Sequence, residues 1–291
     1  MKKTLTSIFD FLLFSNIFIA LCAVAQGAVT FYLIGSKNLP QVAGLLFTST
    51  IGIYNFSILV TKPKFPEKSP YKRIRWFFSH YRLMVTFTIV SLLSLIPLFF
   101  LISIESGILL IFLGVISFFY SIPLFTVAGE KFGIRNFPGL KQFLIIFVWT
   151  ISCVLVPILE AQQAHTSIIT MHQTVMLIAE RFLFYGAITI AFDLRDLFED
   201  KQMGVKTIPV MLGEKTSLLF CQGLLALNFL VLIVLDNYNF KSNFWGLTCT
   251  IAFTAWLIFK SKWEKNEYYY FFFLDGVLIL QYFLLIALGK I

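Results

Sequence analysis

The feature that most limits what this chain can fold into is the end-to-end recurrence of apolar stretches about 20 residues long, the length needed to cross a hydrocarbon core about 30 Å thick. About nine such stretches stand out, at approximately 10–34, 39–60, 83–102, 106–127, 140–159, 172–192, 216–235, 243–259 and 268–288. Inside a bilayer every backbone polar group must be satisfied by the segment itself, so stretches of this length are expected as helices. The intervals between them reach no more than about 23 residues, too short to fold as a soluble domain. The expectation is therefore an all-α membrane protein, a bundle of about nine transmembrane helices forming one polytopic domain over 1–291. Its main loops would be about 61–82, 128–139 and 193–215. With 58% of residues hydrophobic, 13% charged and a mean hydropathy of +0.85, the composition excludes an ordinary water-soluble domain.

A net charge of +8 could suggest nucleic acid, but the placement of the basic residues gives a different reason for it. Apart from Lys37, Arg181, Lys241 and Lys290, all of the 23 Lys and Arg fall at the N-terminus or beside the loops after the even-numbered spans. That is the positive-inside asymmetry, which places the N-terminus and these loops in the cytoplasm and the C-terminus outside. The localisation expected is a multi-pass protein of a bacterial inner membrane, with membrane lipids as neighbours and no nucleic acid partner. Lys2 and Lys3, the apolar run and Ala23-Val24-Ala25 imitate a secretory signal, yet apolar sequence continues to Ile34, so the segment is expected to be kept as the first helix. Cys22, Cys153, Cys221 and Cys249 all fall within spans without metal-ligand spacing, and His80, His165 and His172 are scattered. The 35 Phe residues are expected to pack between helices and against lipid.

Chemistry must therefore come from the loops. Residues 61–82 carry Pro63, Pro66 and Pro70 and a cluster of basic residues, among them Lys68, Lys72, Arg73 and Arg75. These either orient the protein or bind an anionic lipid head group or a diphosphate. Residues 128–139 carry Lys131 and Arg135 between glycines. The most distinctive stretch is AFDLRDLFEDKQMGVKTIPVMLGEKTS, which follows the sixth span. If the helix runs on past the membrane edge, Asp193, Asp196 and Asp200 lie within about 60° of one another around its axis. Carboxylates held together in this way repel unless a cation joins them, and hard oxygen ligands suit Mg²⁺, which usually also binds substrate phosphates. The alternative is a solvated acidic face neutralised by Arg195, Lys201 and Lys206. A glycine at 204 suits the left-handed end of the helix.

This stretch resembles the second aspartate motif of the UbiA family of membrane prenyltransferases, RDxxxD followed by GxxT and a later glycine. Arg195, Asp196, Asp200, Gly204, Thr207 and Gly213 fill the pattern, with Pro209 in a compatible place. Tyr120-Ser121 followed by Lys131 resembles the family's tyrosine and basic residue around the fourth helix, and the number of spans matches its nine-helix bundle. The resemblance implies transfer of an isoprenoid from a prenyl diphosphate to a lipid-soluble acceptor inside the membrane. It implies Mg²⁺, as one ion or two, held by Asp193, Asp196 and Asp200, with Asp196, Asp200 and Lys131 as the catalytic set. The diphosphate would be bound by Asn55, Lys72, Arg73, Tyr120, Arg135, Arg195 and Lys206.

One half of the family pattern is missing. Where its first motif, NDxxDxxxD, is expected, the chain reads Asn55-Phe56-Ser57-Ile58-Leu59-Val60-Thr61-Lys62-Pro63, so only Asn55 remains. Either basic residues replace a metal on that side, or one ion suffices, or transfer has been lost and the protein binds an isoprenoid or lipid or serves as an interaction subunit. A transporter is a third class, motivated by Glu180 and Arg181 inside the sixth span. These two are adjacent and are expected to face different ways, with Arg181 closing a cavity beneath the acidic loop. The absence of sequence repeats argues against transport.

Overall fold

The computed structural model describes residues 2–127, 130–134, 137–202, 204–235, 243–264 and 266–288. Its helices are α1 (Lys2–Phe14), α2 (Ile17–Leu33), α3 (Pro40–Val60), α4 (Lys72–Ser79), α5 (Tyr81–Phe99) and α6 (Ile104–Ser121). There follow α7 (Leu140–Gln163), α8 (Met171–Arg195), α9 (Leu197–Gln202), α10 (Ile208–Leu212), α11 (Glu214–Leu235), α12 (Phe244–Lys260) and α13 (Tyr269–Leu288). Among the described residues seven helices are long and apolar enough to cross a membrane; a bent pair, α1 with α2, gives an eighth, and α12 is apolar over 17 residues. Every apolar stretch read from the sequence is thus a helix, and the chain is a multi-pass membrane protein.

The helix ends depart from the sequence expectation where local chemistry intervenes. The first stretch is not one rod from residue 10: Asn16 takes φ 68°, and the segments on either side meet at 61°. Asparagine tolerates this left-handed conformation better than most side chains do. The fourth helix stops at Ser121 rather than near 127, because Pro123 forces Ile122 into an extended conformation (ψ 133°). The chain then forms a hairpin of β1 (Pro123–Val127) and β2 (Glu130–Gly133). In α7 a π turn at Ile151–Leu155 precedes Pro157. Proline has no N–H for the carbonyl of Cys153, which instead accepts from Thr30 Oγ1 at 2.7 Å. A second π turn, Tyr269–Leu274, opens α13.

The centre of the bundle is α8, of whose apolar window 56% is buried, against 17% for the peripheral α5. The core around it is lined by Phe14, Phe184, Ala187, Ala191, Tyr270 and Leu274. A polar chain runs through this core. Tyr185 donates to Gln26 Oε1 (2.8 Å), Gln26 to Gln281 Oε1 (3.0 Å), and Arg181 to both Gln281 Oε1 and Glu180 Oε1 (3.1 Å each). The expectation that Glu180 and Arg181 diverge is corrected, since the length of the arginine lets its guanidinium turn back onto its neighbour. In a low-dielectric core a charge persists only when it is paired in this way. Cys22, Cys153 and Cys221 are buried free thiols, and Cys249 is exposed on the outer surface.

Candidate functional site

The acidic turn is built by an interruption. Helix α8 ends at Arg195, Asp196 occupies its C-cap with φ −88° and ψ 7°, and α9 restarts at Leu197. Gly204 then takes φ +65°, as expected of a glycine closing a helical segment, and the Val205 N–H donates to the Asp200 carbonyl at 2.9 Å. The break corrects the single helical face expected for the three aspartates. Asp193 and Asp200, both buried, converge on the Lys141 ammonium at 2.7 and 3.4 Å. Asp196 turns instead to Arg195, which donates from Nε to Oδ1 (2.7 Å) and from Nη2 to Oδ2 (3.0 Å), and to the Tyr71 hydroxyl (3.2 Å). Burial pushes the Asp196 pKa up, but the two-pronged Arg195 outweighs it and holds the carboxyl below the usual carboxylate range. For Asp200 burial wins: with Asp193 and Asp196 nearby and only a more distant Lys141 in opposition, its pKa is pushed up to about 6.

Helix α4 brings the basic loop over this turn. The Glu267 carboxylate caps the start of α4, accepting from the backbone N–H groups of Lys72 and of Arg73, the latter at 3.0 Å. This cap fixes the two side chains in opposite directions. Lys72 pairs with Asp10 at 3.0 Å and donates to Tyr268. Arg73 points inward, donating to Asn16 Oδ1, while Asn16 Nδ2 donates to Asn55 Oδ1 at 2.6 Å. The left-handed bend at Asn16 therefore joins Arg73 to the one residue remaining from the first aspartate pattern. Burial and the neighbouring Arg195 both lower the Arg73 pKa. Two guanidiniums face one depression, and among the described residues no carboxylate accepts from the Arg73 guanidinium, which leaves room for an anion.

That depression is lined by Tyr71, Arg73, Tyr120, Lys141, Arg195, Asp196 and Asp200. It continues inward into a cavity of about 220 Å³ with Tyr54, Trp149, Tyr185, Phe192, Phe271 and Asp275 on its walls. Of the residues expected from sequence, Asp193, Asp196, Asp200, Arg73, Arg195 and Tyr120 meet here, and Asn55 reaches the site through Asn16. Lys72 is turned away from it, and Lys206 is exposed and lines neither space. Arg135 lies outside the described residues; of Lys131, only the backbone, in β2, is described. The basic residue that does reach the acids from this part of the chain is Lys141.

Sequence reasoning passed over Lys141, Tyr71, Asn16, Glu267 and Asp275. Two of them left a signal: Lys141-Gln142 are polar residues just inside an apolar run, and Asp275 is an acid within the last span. Tyr71, Asn16 and Glu267 left none, because what matters in them is their position across the bundle.

A divalent ion can be tested against these donors. Among the described residues no group of three or more His, Cys, Asp or Glu is placed to hold a metal by itself. Mg²⁺, however, is commonly held by one or two carboxylates, with substrate phosphates and water supplying the rest. Asp193 and Asp200 fit that role: they are already gathered around one cation, and Asp193 Oδ2 is buried without a hydrogen-bond partner.

A sequence model of the UbiA prenyltransferase family matches residues 79–276, more than half of the chain. The matched region contains the acidic turn and begins after the Asn55 and Arg73 segments. No curated protein matches the sequence. Among solved structures, a UbiA homologue from Archaeoglobus fulgidus bound to GPP and Mg²⁺ superposes with a TM-score of 0.68 at 13% identity, covering 97% of this chain and 100% of that one. A UbiA homologue from Aeropyrum pernix K1 gives 0.66 at 14% identity, covering 93% and 98%. A digeranylgeranylglyceryl phosphate synthase gives 0.58 at 15% identity over the whole of both chains. At these identities the likeness is one of fold.

Proposed function

Because the chain belongs to the UbiA prenyltransferase family, we propose that it transfers an isoprenoid from an allylic diphosphate to a lipid-soluble acceptor within the membrane. The observation that carries this reading is the meeting of Arg73, Lys141 and Arg195 with three aspartates at the mouth of an apolar, aromatic cavity. Arg73 and Arg195 grip the diphosphate from two sides, and their guanidiniums oppose the negative charge that grows on it as the C–O bond breaks. Magnesium, when bound with the diphosphate at Asp193 and Asp200, supplies further positive charge to that leaving group. Asp196 keeps the Arg195 guanidinium oriented, and Tyr71 holds Asp196 in turn. The rings of Trp149, Phe192 and Phe271 exclude water and offer π faces to the allylic cation. The acceptor then attacks that carbon, and the proton it loses passes to the departing diphosphate. The mouth is assigned to the cytoplasmic side by the positive-inside asymmetry.

The test is a binding and turnover pair in purified full-length protein. Geranyl or dimethylallyl diphosphate with Mg²⁺ should bind, and a panel of quinone-precursor, haem and lipid-phosphate acceptors should include one that is prenylated. Binding without turnover over the whole panel would favour the second reading, a non-catalytic isoprenoid-binding member. The observation in favour of that reading is the run from Phe56 to Pro63, which has no acid to face the second motif. Unchanged binding in both Asp196→Asn and Asp200→Asn would remove the site assignment instead.

A further inference from the structure

One acid inside the membrane has no part in the chemistry above. Asp275, on α13, is 7% exposed, and that exposure is to the cavity it lines. Among the described residues nothing hydrogen-bonds to its carboxylate and no cation lies within 4 Å of it; Cys22 Sγ reaches only its backbone carbonyl, at 3.3 Å. A carboxylate within a span is costly, so one left unpaired there marks a site. Phe271, Asp275 and Leu278 are spaced i, i+4, i+7 and line the cavity together. Phe271 also borders the mouth, which puts Asp275 one turn, about 6 Å, beneath it. The π turn Tyr269–Leu274 ends one residue before it, and such turns are frequent at functional sites.

Most of the other polar groups on this wall are spent. Asn16 accepts from Arg73 and donates to Asn55, Tyr185 donates to Gln26, Arg195 holds Asp196, and Lys141 lies between Asp193 and Asp200. Tyr54 differs: its hydroxyl oxygen accepts from Trp149 at 3.1 Å, and among the described residues nothing accepts its proton. The cavity thus offers a strong acceptor and a free donor, the complement of a hydroxyl group, which has a proton to give and lone pairs to receive one. Arg73 and Arg195 attract the Asp275 charge without touching it. A diphosphate gripped by the two guanidiniums cancels that attraction, and the carboxylate is left unsupported at the moment when an acceptor must lose a proton.

Resting on the transferase reading above, we propose that Asp275 is the catalytic base for a neutral, hydroxyl-bearing acceptor, with Tyr54 donating to the acceptor oxygen. The O–H bond of the acceptor breaks, and its proton goes to an Asp275 oxygen. The electron pair freed on the acceptor oxygen forms the bond to the allylic carbon, which the diphosphate has left with the pair of the old C–O bond, so the product is an ether. Asp275 then gives its proton to the departing diphosphate and is a carboxylate again. An acceptor with a carboxylate beside its hydroxyl would bring a second negative charge to Asp275, and with Arg73 engaged by the diphosphate no cation on the wall is free to meet it.

In full-length protein with Mg²⁺ and geranyl diphosphate, 1-naphthol and its carboxylated counterpart 1-hydroxy-2-naphthoate are compared as acceptors for wild type, Asp275→Asn, Asp275→Glu and Tyr54→Phe. Wild type should form the geranyl naphthyl ether and leave the naphthoate unchanged. Asp275→Asn keeps the shape of the side chain and should lower kcat about 100-fold or more, the usual worth of a general base, with geranyl diphosphate affinity and KM for 1-naphthol within about threefold of wild type. Asp275→Glu should recover part of kcat. Tyr54→Phe should raise KM for 1-naphthol about tenfold, the equivalent of one hydrogen bond. A kcat in Asp275→Asn equal to wild type, or a loss of donor affinity in step with kcat, would overturn the base assignment. An unchanged KM in Tyr54→Phe would remove Tyr54 from the pair. Preference for the naphthoate, prenylation of a ring carbon, or transfer to neither compound would overturn the hydroxyl acceptor while leaving the transferase reading intact. A wild type that binds no prenyl diphosphate better than inorganic diphosphate would overturn that reading and this one with it.

Discussion

The acidic turn after α8 and the basic α4 segment face each other across one mouth, yet they are held in opposite ways. The turn settles its charges almost within itself: Asp196 is bound by the residue before it, and Asp193 and Asp200 share one lysine from the adjacent α7. The basic segment is fixed by groups far away in sequence, with Glu267 capping its backbone and Asn16 and Asn55 receiving Arg73. A site whose parts are local leaves a motif in the sequence. A site assembled across the bundle leaves scattered single residues.

The comparison breaks most sharply at Lys141, the cation that the local side draws from another helix, as Asp196 draws the Tyr71 hydroxyl. Lys141→Met would leave two buried carboxylates without their cation, and removing one partner of such a pair costs about 3–5 kcal/mol. The expected outcome is a large loss of thermal stability in detergent, together with loss of transfer. Adding Asp200→Asn to Lys141→Met should recover part of the stability. A Lys141→Met protein as stable as wild type would mean that the acids are not held as a charged pair.

Next in size is the effect of Asp196→Asn. It removes the charge that neutralises the Arg195 guanidinium, whose side chain is 11% exposed, but leaves an amide oxygen to accept from it, so a smaller loss of stability should accompany a fall in turnover of about 100-fold or more, the usual cost of losing transition-state charge stabilisation. On the opposite side, Arg73→Gln removes a charged donor from the diphosphate and should weaken donor binding by about 10- to 100-fold, the equivalent of a charge-assisted hydrogen bond. Arg73→Lys should recover some of it. If Arg73→Gln matches Asp196→Asn in turnover with unchanged donor affinity, the division of labour between the two sides is wrong.

Much of the fold was legible because a bilayer leaves few options: the apolar stretches had to be helices, and they are. The ends were harder to read, since the stop at Ser121 depends on Pro123 and the bend at Asn16 depends on what its side chain meets. The site was legible as a motif on its local side, and on the other side only as the single residues Arg73, Tyr120 and Asn55. Asp193, Asp196, Asp200 and Arg195 were visible as a motif, but their division between Lys141 and Arg195 follows from a helix break that spacing does not encode. Asp275 could have been found by treating any acid within a span as a candidate. Tyr71 and Glu267 could not, because only tertiary packing gives them a role.

A smaller effect follows from pH. Asp200 carries its proton up to about pH 6, against the lower ordinary value of an aspartate. In the window between these values the folded state binds more protons than the unfolded one. Its contribution to folding stability is therefore present below the ordinary value and is lost as pH rises to about 6. Ligand binding runs the other way: magnesium and diphosphate need the carboxylate, so their affinity should climb through pH 6. Calorimetric titration with magnesium and inorganic diphosphate from pH 5 to 7.5 should show that climb, and Asp200→Asn should flatten the part of it that diphosphate's own titration does not explain.

The smallest effect is expected one residue from one of the larger ones. Lys72 and Arg73 are indistinguishable in the sequence, both basic and both beside the same prolines. In the fold the Glu267 cap sends them apart, and Lys72 makes a pair with Asp10 whose lysine side chain is 40% exposed. A pair that wet is worth at most about 1 kcal/mol, and it lines neither the mouth nor the cavity behind it. Lys72→Gln should therefore leave donor affinity and turnover within about threefold of wild type, with a stability change of the same small order. Donor binding measured on Lys72→Gln and Arg73→Gln side by side then tests the orientation of α4 itself: equal losses would mean that the helix is rotated from the position in which Glu267 holds it, and that both cations reach the diphosphate.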